Sequence, residues 1–457
     1  MSRPSARCSS MPRACRRSGS QISARGPAPE MTEPQPEPDG AALRVADDAL
    51  PEPVPLTAPA DGVPELAVTA YEINAAAELL AGGQGAFAID AERASGFRYS
   101  NRAYLIQIRR AGAGTVLIDP VSHGGDALEV LRPVAEVLGT DEWILHAADQ
   151  DLPCLAEVGM HPPALYDTEL AGRLAGFDRV NLAAMVHRLL GLGLVKGHGA
   201  ADWSKRPLPA AWLNYAALDV EVLVELRDEI SVVLAEQGKT DWAAQEFEYV
   251  RTSEAQLTRR DRWRRTSGIH KVRNRRALSA VRELWTTRDN IARSRDIAPG
   301  RVLPDAAIVE AALTDPKTVD ELVKLPVFGG PKQRRSAQIW LDALAAGRAN
   351  PDPPQSSEPQ NGPPPAVRWS KRKPEAAARL EASRARISEL SQAVTVPTEN
   401  LLAPELLRRL CWDWEPVADP ATAIENFLRD AGARPWQRQL VVPVLTEALA
   451  PPDAPTS

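Results

Sequence analysis

Asp90 and Glu92 follow the apolar run Ala86 to Ile89 at a spacing of two residues. In a β-strand alternate side chains share a face, so the pair presents two carboxylates together, roughly 7 Å apart by strand rise. Like charges converging there repel unless a cation sits between them. Alone, the pair also fits an ordinary solvated strand end. In His146-Ala147-Ala148-Asp149-Gln150-Asp151-Leu152, further acids stand where a strand hands over to a helix. That is also a normal place for an N-capping aspartate. In Tyr215-Ala216-Ala217-Leu218-Asp219 a phenol and a carboxylate lie at i and i+4, on one helix face about one turn apart. Alone, Tyr215 would suit a core. Taken together, acids on two strand ends and two helices, with a tyrosine beside the last, are what a pair of divalent ions requires. Mg²⁺ and Mn²⁺ take oxygen ligands. Two such ions roughly 3.5–4 Å apart can stabilise the attacking and leaving oxygens of an in-line phosphoryl displacement. No glycine-rich phosphate loop is present, which disfavours a nucleoside triphosphatase.

The elements that must hold these groups follow from periodicity. A helix is expected over Ala75–Leu80, then strands over Ala86–Asp90, Tyr104–Arg109 and Thr115–Asp119, punctuated by Gly82-Gly83 and Gly112-Ala113-Gly114. Short loops make these three strands an antiparallel meander. A helix over Ala127–Leu138 and a strand over Trp143–His146 come next, followed by helices over Asp149–Val158, Thr168–Leu174 and Leu182–Leu190. Pro209 opens a longer helix through Leu213, Leu218, Val222 and Leu226. Strands first, then helices interleaved with strands, give a mixed sheet flanked by helices. Residues 277–346 and about 375–450 read as all-helical. The two blocks share a weak repeat, visible in Pro331-Lys332-Gln333-Arg334 against Pro435-Trp436-Gln437-Arg438.

The 457 residues suggest about three domains, and the 41 prolines demand proline-rich linkers. The net charge of −6 excludes a uniformly basic nucleic-acid binder. It conceals a local excess, because Arg251 to Arg301 carries 15 Lys/Arg against 5 Asp/Glu. That run includes Arg259, Arg260, Arg262, Arg264, Arg265, Lys271, Arg273, Arg275 and Arg276, with Trp263 inside it. Phosphate contact or a solvated helix face would each account for it. Cys8, Cys15, Cys154 and Cys411 lack metal-site spacing and fit a reducing compartment. No stretch has the apolar length of a membrane span, and residues 1–30 lack the apolar core of a secretory signal. A cytoplasmic protein is expected, with Met31 as an alternative start.

On these motifs the chain resembles the tyrosine-containing branch of the DEDD exonucleases, most closely the ribonuclease D family. The first motif is Ile89-Asp90-Ala91-Glu92, followed by Leu105-Ile106-Gln107-Ile108. The second is His146 to Leu152, followed by Asp167-Thr168. The third is Tyr215 to Val220, with the lead-in Asp202-Trp203-Ser204-Lys205-Arg206-Pro207-Leu208. The region around Leu325-Pro326-Val327-Phe328-Gly329-Gly330 is similar to the helicase-and-RNase-D C-terminal (HRDC) module. One departure stands out: the position after Glu92 is usually aromatic in the family and is Arg93 here.

The resemblance implies an α/β, RNase H-like 3′–5′ exonuclease domain followed by all-α HRDC domains. The division expected is a disordered tail to residue 60, the exonuclease domain over 61–245 and a basic connector over 246–271. An HRDC domain then covers 272–350, a proline-rich linker 351–374, a diverged second copy 375–450 and a tail 451–457. Asp90, Glu92, Asp151 and Asp219 would hold two divalent ions, Mg²⁺ or Mn²⁺. The family spacing from His146 selects Asp151 over Asp149. Tyr215 would orient the attacking water, and His146 would be a packing residue. The implied substrate is RNA with a free 3′ end, with tRNA precursors as the suggested class. The rivals are a 3′–5′ DNA exonuclease, since the acids do not distinguish sugars, and a non-catalytic nucleic-acid-binding scaffold. Oligomeric state stays open.

Overall fold

The computed structural model describes residues 50–195, 197–253, 261–356 and 362–450. The chain divides into residues 1–50 and a unit spanning Pro51–Ser457, and the description concerns the latter. Its first part contains β1 (Val54–Leu56), β2 (Leu66–Ala67), α1 (Ala70–Ala81), β3 (Gln84–Arg93), β4 (Ala103–Ala111), β5 (Gly114–Ile118), α2 (Ala127–Leu138) and β6 (Trp143–Leu145). It continues with α3 (Leu152–Ala156), β7 (Leu165–Asp167), α4 (Thr168–Ala175), α5 (Leu182–Leu190), β8 (Leu192–Leu194), α6 (Ala210–Glu221), α7 (Leu223–Glu236) and α8 (Thr240–Thr252).

Six strands form one sheet in the order β2-β5-β4-β3-β6-β7. The meander β3-β4-β5 is antiparallel, as its short loops require, whereas β6 and β7 run parallel to β3. The sheet is therefore mixed and flanked by helices, as expected. Period-two alternation sorts β3. Phe87, Ile89 and Ala91 pack with residues of α1 and α2 in one apolar cluster. Ala88 joins a different cluster on the opposite face. Asp90 and Glu92 share the parity of Ala88, and that is the face α6 crosses.

Three boundaries differ from the sequence reading. The expected tail reaches residue 60, yet Val54–Leu56 pairs in parallel with β8, and Leu56 packs on the core. Its partner strand lies far along the chain, so no local pattern announces it. The single helix expected from Pro209 through Leu226 is two, because Val222 (φ −101°, ψ −3°) ends α6 and redirects α7. The helix expected over Asp149–Val158 is a 3₁₀ turn, Ala148–Gln150, that hands over to α3 at Leu152.

A first helical block holds α9 (Arg275–Ser294), α10 (Pro299–Val302), α11 (Asp305–Thr314), α12 (Val319–Leu322), α13 (Pro331–Arg335) and α14 (Ala337–Ala349). A second holds α15 (Trp369–Arg372), α16 (Pro374–Val394), α17 (Thr398–Leu401), α18 (Pro404–Asp413), α19 (Pro420–Asp430) and α20 (Pro435–Ala448). From α9 and from α16 onward, both run long helix, four-residue helix, ten-residue helix and onward to a C-terminal helix. Leu303 and Leu402, ending the four-residue helices, have nearly identical backbone angles, φ −152°, ψ 120° and φ −155°, ψ 122°. The second block begins earlier than 375, inside the expected linker. Trp369 is fully buried, and its indole N–H donates to the Pro364 carbonyl. An indole of that size orders the chain around it. No helix among the described residues is long and apolar enough to cross a membrane.

Candidate active site

Strand β3 delivers Asp90 and Glu92 from its exit end, and α6 lays Asp219 against them. One carboxylate oxygen from each of the three lies within 4.8 Å of the others. Glu92 is buried, and Asp90 and Asp219 are half-buried. Burial pushes all three carboxyls up from their usual range. The neighbouring acids push Glu92 further, and Asp90 pushes Asp219 further. Three hard oxygen donors crowded in one place with raised pKa values form a donor set suited to a divalent cation. The residues present therefore fit such an ion.

Asp151 stands beside this trio, not within it. It is 5% exposed and makes no capping bond to α3, although it occupies the N-cap position. Its carboxyl is raised well above the usual range by burial and by Asp90, and Arg93 counteracts both. An ion pair joins Arg93 Nη2 to Asp151 Oδ1 at 3.4 Å. Asp149, the competing acid of the second motif, is exposed on the 3₁₀ turn. The turn owes its shape to Asp167. That carboxylate accepts from the N–H groups of Ala147 and Ala148 and also caps α4 through Leu170 N–H. Ala147 sits in the left-handed region at φ 63°, which those bonds hold in place. Burial raises the Asp167 carboxyl to about 6. His146 is held by Thr168, Nδ1 to Oγ1 at 2.8 Å, and burial lowers its pKa to about 4. It is neutral and belongs to the packing behind the turn.

Tyr215 lies one turn before Asp219 on α6, on the face that carries that carboxylate. Burial, then the charges of Asp219 and Glu92, push the phenol well above its ordinary value. It remains protonated near neutrality and acts as a donor. Its ring is flanked by Trp203, fully buried, and by His198 edge-on at 5.8 Å. Gly197 crosses the ring so closely that a Cβ would fall 1.7 Å from Tyr215 Cε2, so only glycine fits. The lead-in to α6 is anchored by Arg206, which donates to both Asp119 oxygens and to the carbonyls of Tyr104 and Trp203.

Two contacts at the candidate site escaped the sequence reading. Gln107 is fully buried opposite Asp90 in the β3–β4 ladder and donates Nε2–H to Asp90 Oδ2 at 3.1 Å. A lone amide in the apolar run Leu105-Ile106-Gln107-Ile108 was the available signal. The second is the clamp on the β3–β4 loop. Asp296, just beyond α9, accepts from the N–H groups of Tyr99 and Ser100, and Ala298 N–H donates to the Phe97 carbonyl. Arg98 donates to Ser204, tying the same loop to the α6 lead-in. The first helical block thus holds the loop that immediately follows the two strand acids.

The basic run is divided. Arg259 and Arg260 lie outside the described residues. Arg264 and Arg275 donate to carbonyls of residues 353–355, and Arg276 donates to the Arg348 carbonyl, so these three hold the helical block together. Arg262, Arg265, Lys271 and Arg273 are exposed.

Comparison with known proteins extends the description. The family profile described as 3′-5′ exonuclease matches residues 66–235, the HRDC domain matches 277–344, and a 3′ to 5′ exonuclease C-terminal domain matches 362–449. Ribonuclease D of Gluconacetobacter diazotrophicus is 33% identical over 260 residues, covering 55% of this chain and 64% of that protein. Ribonuclease D of Acidiphilium cryptum is 30% identical over 274 residues, covering 57% of this chain and 68% of that protein. The chain thus spans about three fifths of the length of several curated relatives. A crystal structure of a protein from Bifidobacterium adolescentis superposes with a TM-score of 0.79 at 37% identity, covering 87% of this chain and all of that one. Escherichia coli RNase D, described as an exoribonuclease involved in structured RNA processing, shares the fold at a TM-score of 0.60 and 22% identity, covering 80% of this chain and 98% of that one.

Proposed function

The chain belongs to the ribonuclease D family, and from that premise we propose that it is a divalent-metal-dependent 3′–5′ exoribonuclease. It releases nucleoside 5′-monophosphates from RNA 3′ ends, with tRNA precursors the class its family resemblance suggests. The carrying observation is the carboxylate trio from β3 and α6 within 4.8 Å, with the phenol of Tyr215 one turn before its third member and kept protonated by burial.

Asp90, Glu92 and Asp219 would hold the metal, with Asp151 beside them as the remaining acid of the set. A divalent ion of the Mg²⁺ or Mn²⁺ class held there would supply Lewis acidity to a nearby water and to the phosphoryl oxygens. The protein's own part is orientation. Gln107 fixes the rotamer of Asp90, and Asp167 fixes the turn that carries Asp151. Tyr215 donates its hydrogen bond toward the attacking water, since a phenol with a raised pKa is a poor base. The water oxygen forms the new bond to phosphorus, the bond to the 3′ oxygen breaks, and that oxygen takes up a proton. Arg262, Arg265, Lys271 and Arg273 contact the RNA backbone, and the shared helix order supports the second helical block as a diverged copy of the first. The enzyme acts in the cytoplasm.

Asp90→Asn and Asp219→Asn test this directly. Each should abolish metal-dependent nucleotide release from a 3′-extended RNA while leaving RNA binding intact, and unchanged turnover in either overturns the assignment. A parallel assay on the DNA counterpart separates this reading from a DNA exonuclease, which the acids alone would equally serve.

A further inference from the structure

Arg93 follows directly on the two strand acids, and the structure shows what its guanidinium does. Strict alternation along β3 would turn Arg93 away from Glu92, onto the opposite face. At that point, however, the pairing with β4 slips, from Glu92 opposite Leu105 to Arg93 opposite Ala103. Such irregularities re-aim side chains beside active sites. Arg93 reaches Asp151 at 3.4 Å, with side chains only 22% and 8% exposed. It is also the cation whose charge offsets the crowding at Asp90, Glu92 and Asp151. Asp151, meanwhile, is the one acid of the set outside the close trio. The loop after Arg93 is pinned by Asp296 and by Ser204, so the guanidinium is delivered from a held backbone.

We propose that Arg93 supplies at Asp151 the positive charge that a second divalent ion would otherwise bring, so that the RNA-free site binds one ion tightly. This rests on the metal-dependent reading above and refines it. Arg93 is a positioning residue for Asp151: a guanidinium cannot polarise a water as a metal does, but it neutralises and orients a carboxylate. A second ion must compete with a tethered cation that is already in place. An aromatic side chain at this position would present no such competitor.

The test is a Mn²⁺ titration of the full chain without RNA, followed by calorimetry and by electron paramagnetic resonance of free Mn²⁺. The wild type should bind one ion tightly. Arg93→Gln should gain a second site with affinity improved by about tenfold or more, the scale on which outer ligand partners tune metal binding. Arg93→Lys, which keeps the charge, should behave as the wild type and controls for folding. In an Asp151→Asn background the Arg93→Gln change should have no effect. Two ions of comparable affinity in the wild type, or an unaltered titration in Arg93→Gln, overturns the proposal while leaving the exonuclease reading intact. A wild type that binds no Mn²⁺ sinks both.

Discussion

The two helical blocks follow the same helix order, yet they meet the exonuclease domain in opposite ways, and one pair of positions explains much of the difference. In Pro331-Lys332-Gln333-Arg334 and Pro435-Trp436-Gln437-Arg438 the glutamines play like roles. Gln333 donates to the Val302 carbonyl, and Gln437 donates to the Asn400 carbonyl, each tying the start of a helix to the four-residue helix that follows its block's long one. The preceding residue differs. Lys332 is exposed, whereas Trp436 is fully buried, stacked on Trp242 at 5.0 Å, with its indole N–H donating to Glu246. Arg434 donates to the same Glu246 carboxylate at 2.6 Å. The second block therefore merges its apolar core with helices α4, α5, α7 and α8. The first keeps a core of its own and touches the exonuclease domain chiefly through polar contacts to the β3–β4 loop. A shared scaffold can thus act as a buttress or as a clamp, depending on whether one position is an indole or an ammonium.

Substitutions can break this contrast. Trp436→Ala should cost about 3–5 kcal/mol of stability, the usual range for emptying a buried aromatic site. Lys332→Ala, at the matching position, should stay within about 0.5 kcal/mol. Chemical denaturation followed by tryptophan fluorescence measures both, and equal losses would end the comparison. Glu246→Ala leaves Arg434 and the Trp436 indole without their buried acceptor and should cost about 3 kcal/mol. Glu246→Gln keeps an acceptor for the indole and should recover about 1 kcal/mol of that. If Gln is no better than Ala, the hydrogen bond to the indole contributes nothing. Asp296→Ala sharpens the other side of the contrast. It should cost about 2 kcal/mol, because two backbone N–H groups, the Arg102 guanidinium and the Tyr104 hydroxyl lose their acceptor at a half-exposed site. Its larger effect should fall on turnover, because the freed loop follows Glu92 and Arg93. A lowered kcat with unchanged RNA affinity is the expected signature, and unchanged kcat would make the clamp purely structural.

Much of the site was legible because its grammar is local. Two residues along a strand return to one face, and four along a helix make one turn, so Asp90 with Glu92 and Tyr215 with Asp219 could be paired before any fold was known. The same rules located the meander, the helices Ala127–Leu138 and Leu182–Leu190, and the repeated Pro-x-Gln-Arg motif. They failed where the partner is remote. Nothing near Val54 announces β8, and nothing near Val222 shows that its backbone breaks the helix. Basic residues looked uniform as a run, but Arg264, Arg275 and Arg276 are spent on carbonyls of the chain itself.

The sequence by itself determined which groups could do chemistry and which stretches could carry them, since residue type and spacing are enough for that. Only the tertiary structure decided that Asp90, Glu92 and Asp219 come within 4.8 Å of one another while Asp151 is taken by Arg93. The physical reason is that charge pairing and indole burial depend on distance in space. Chain spacing ceases to predict that distance once a strand ends or a helix turns away.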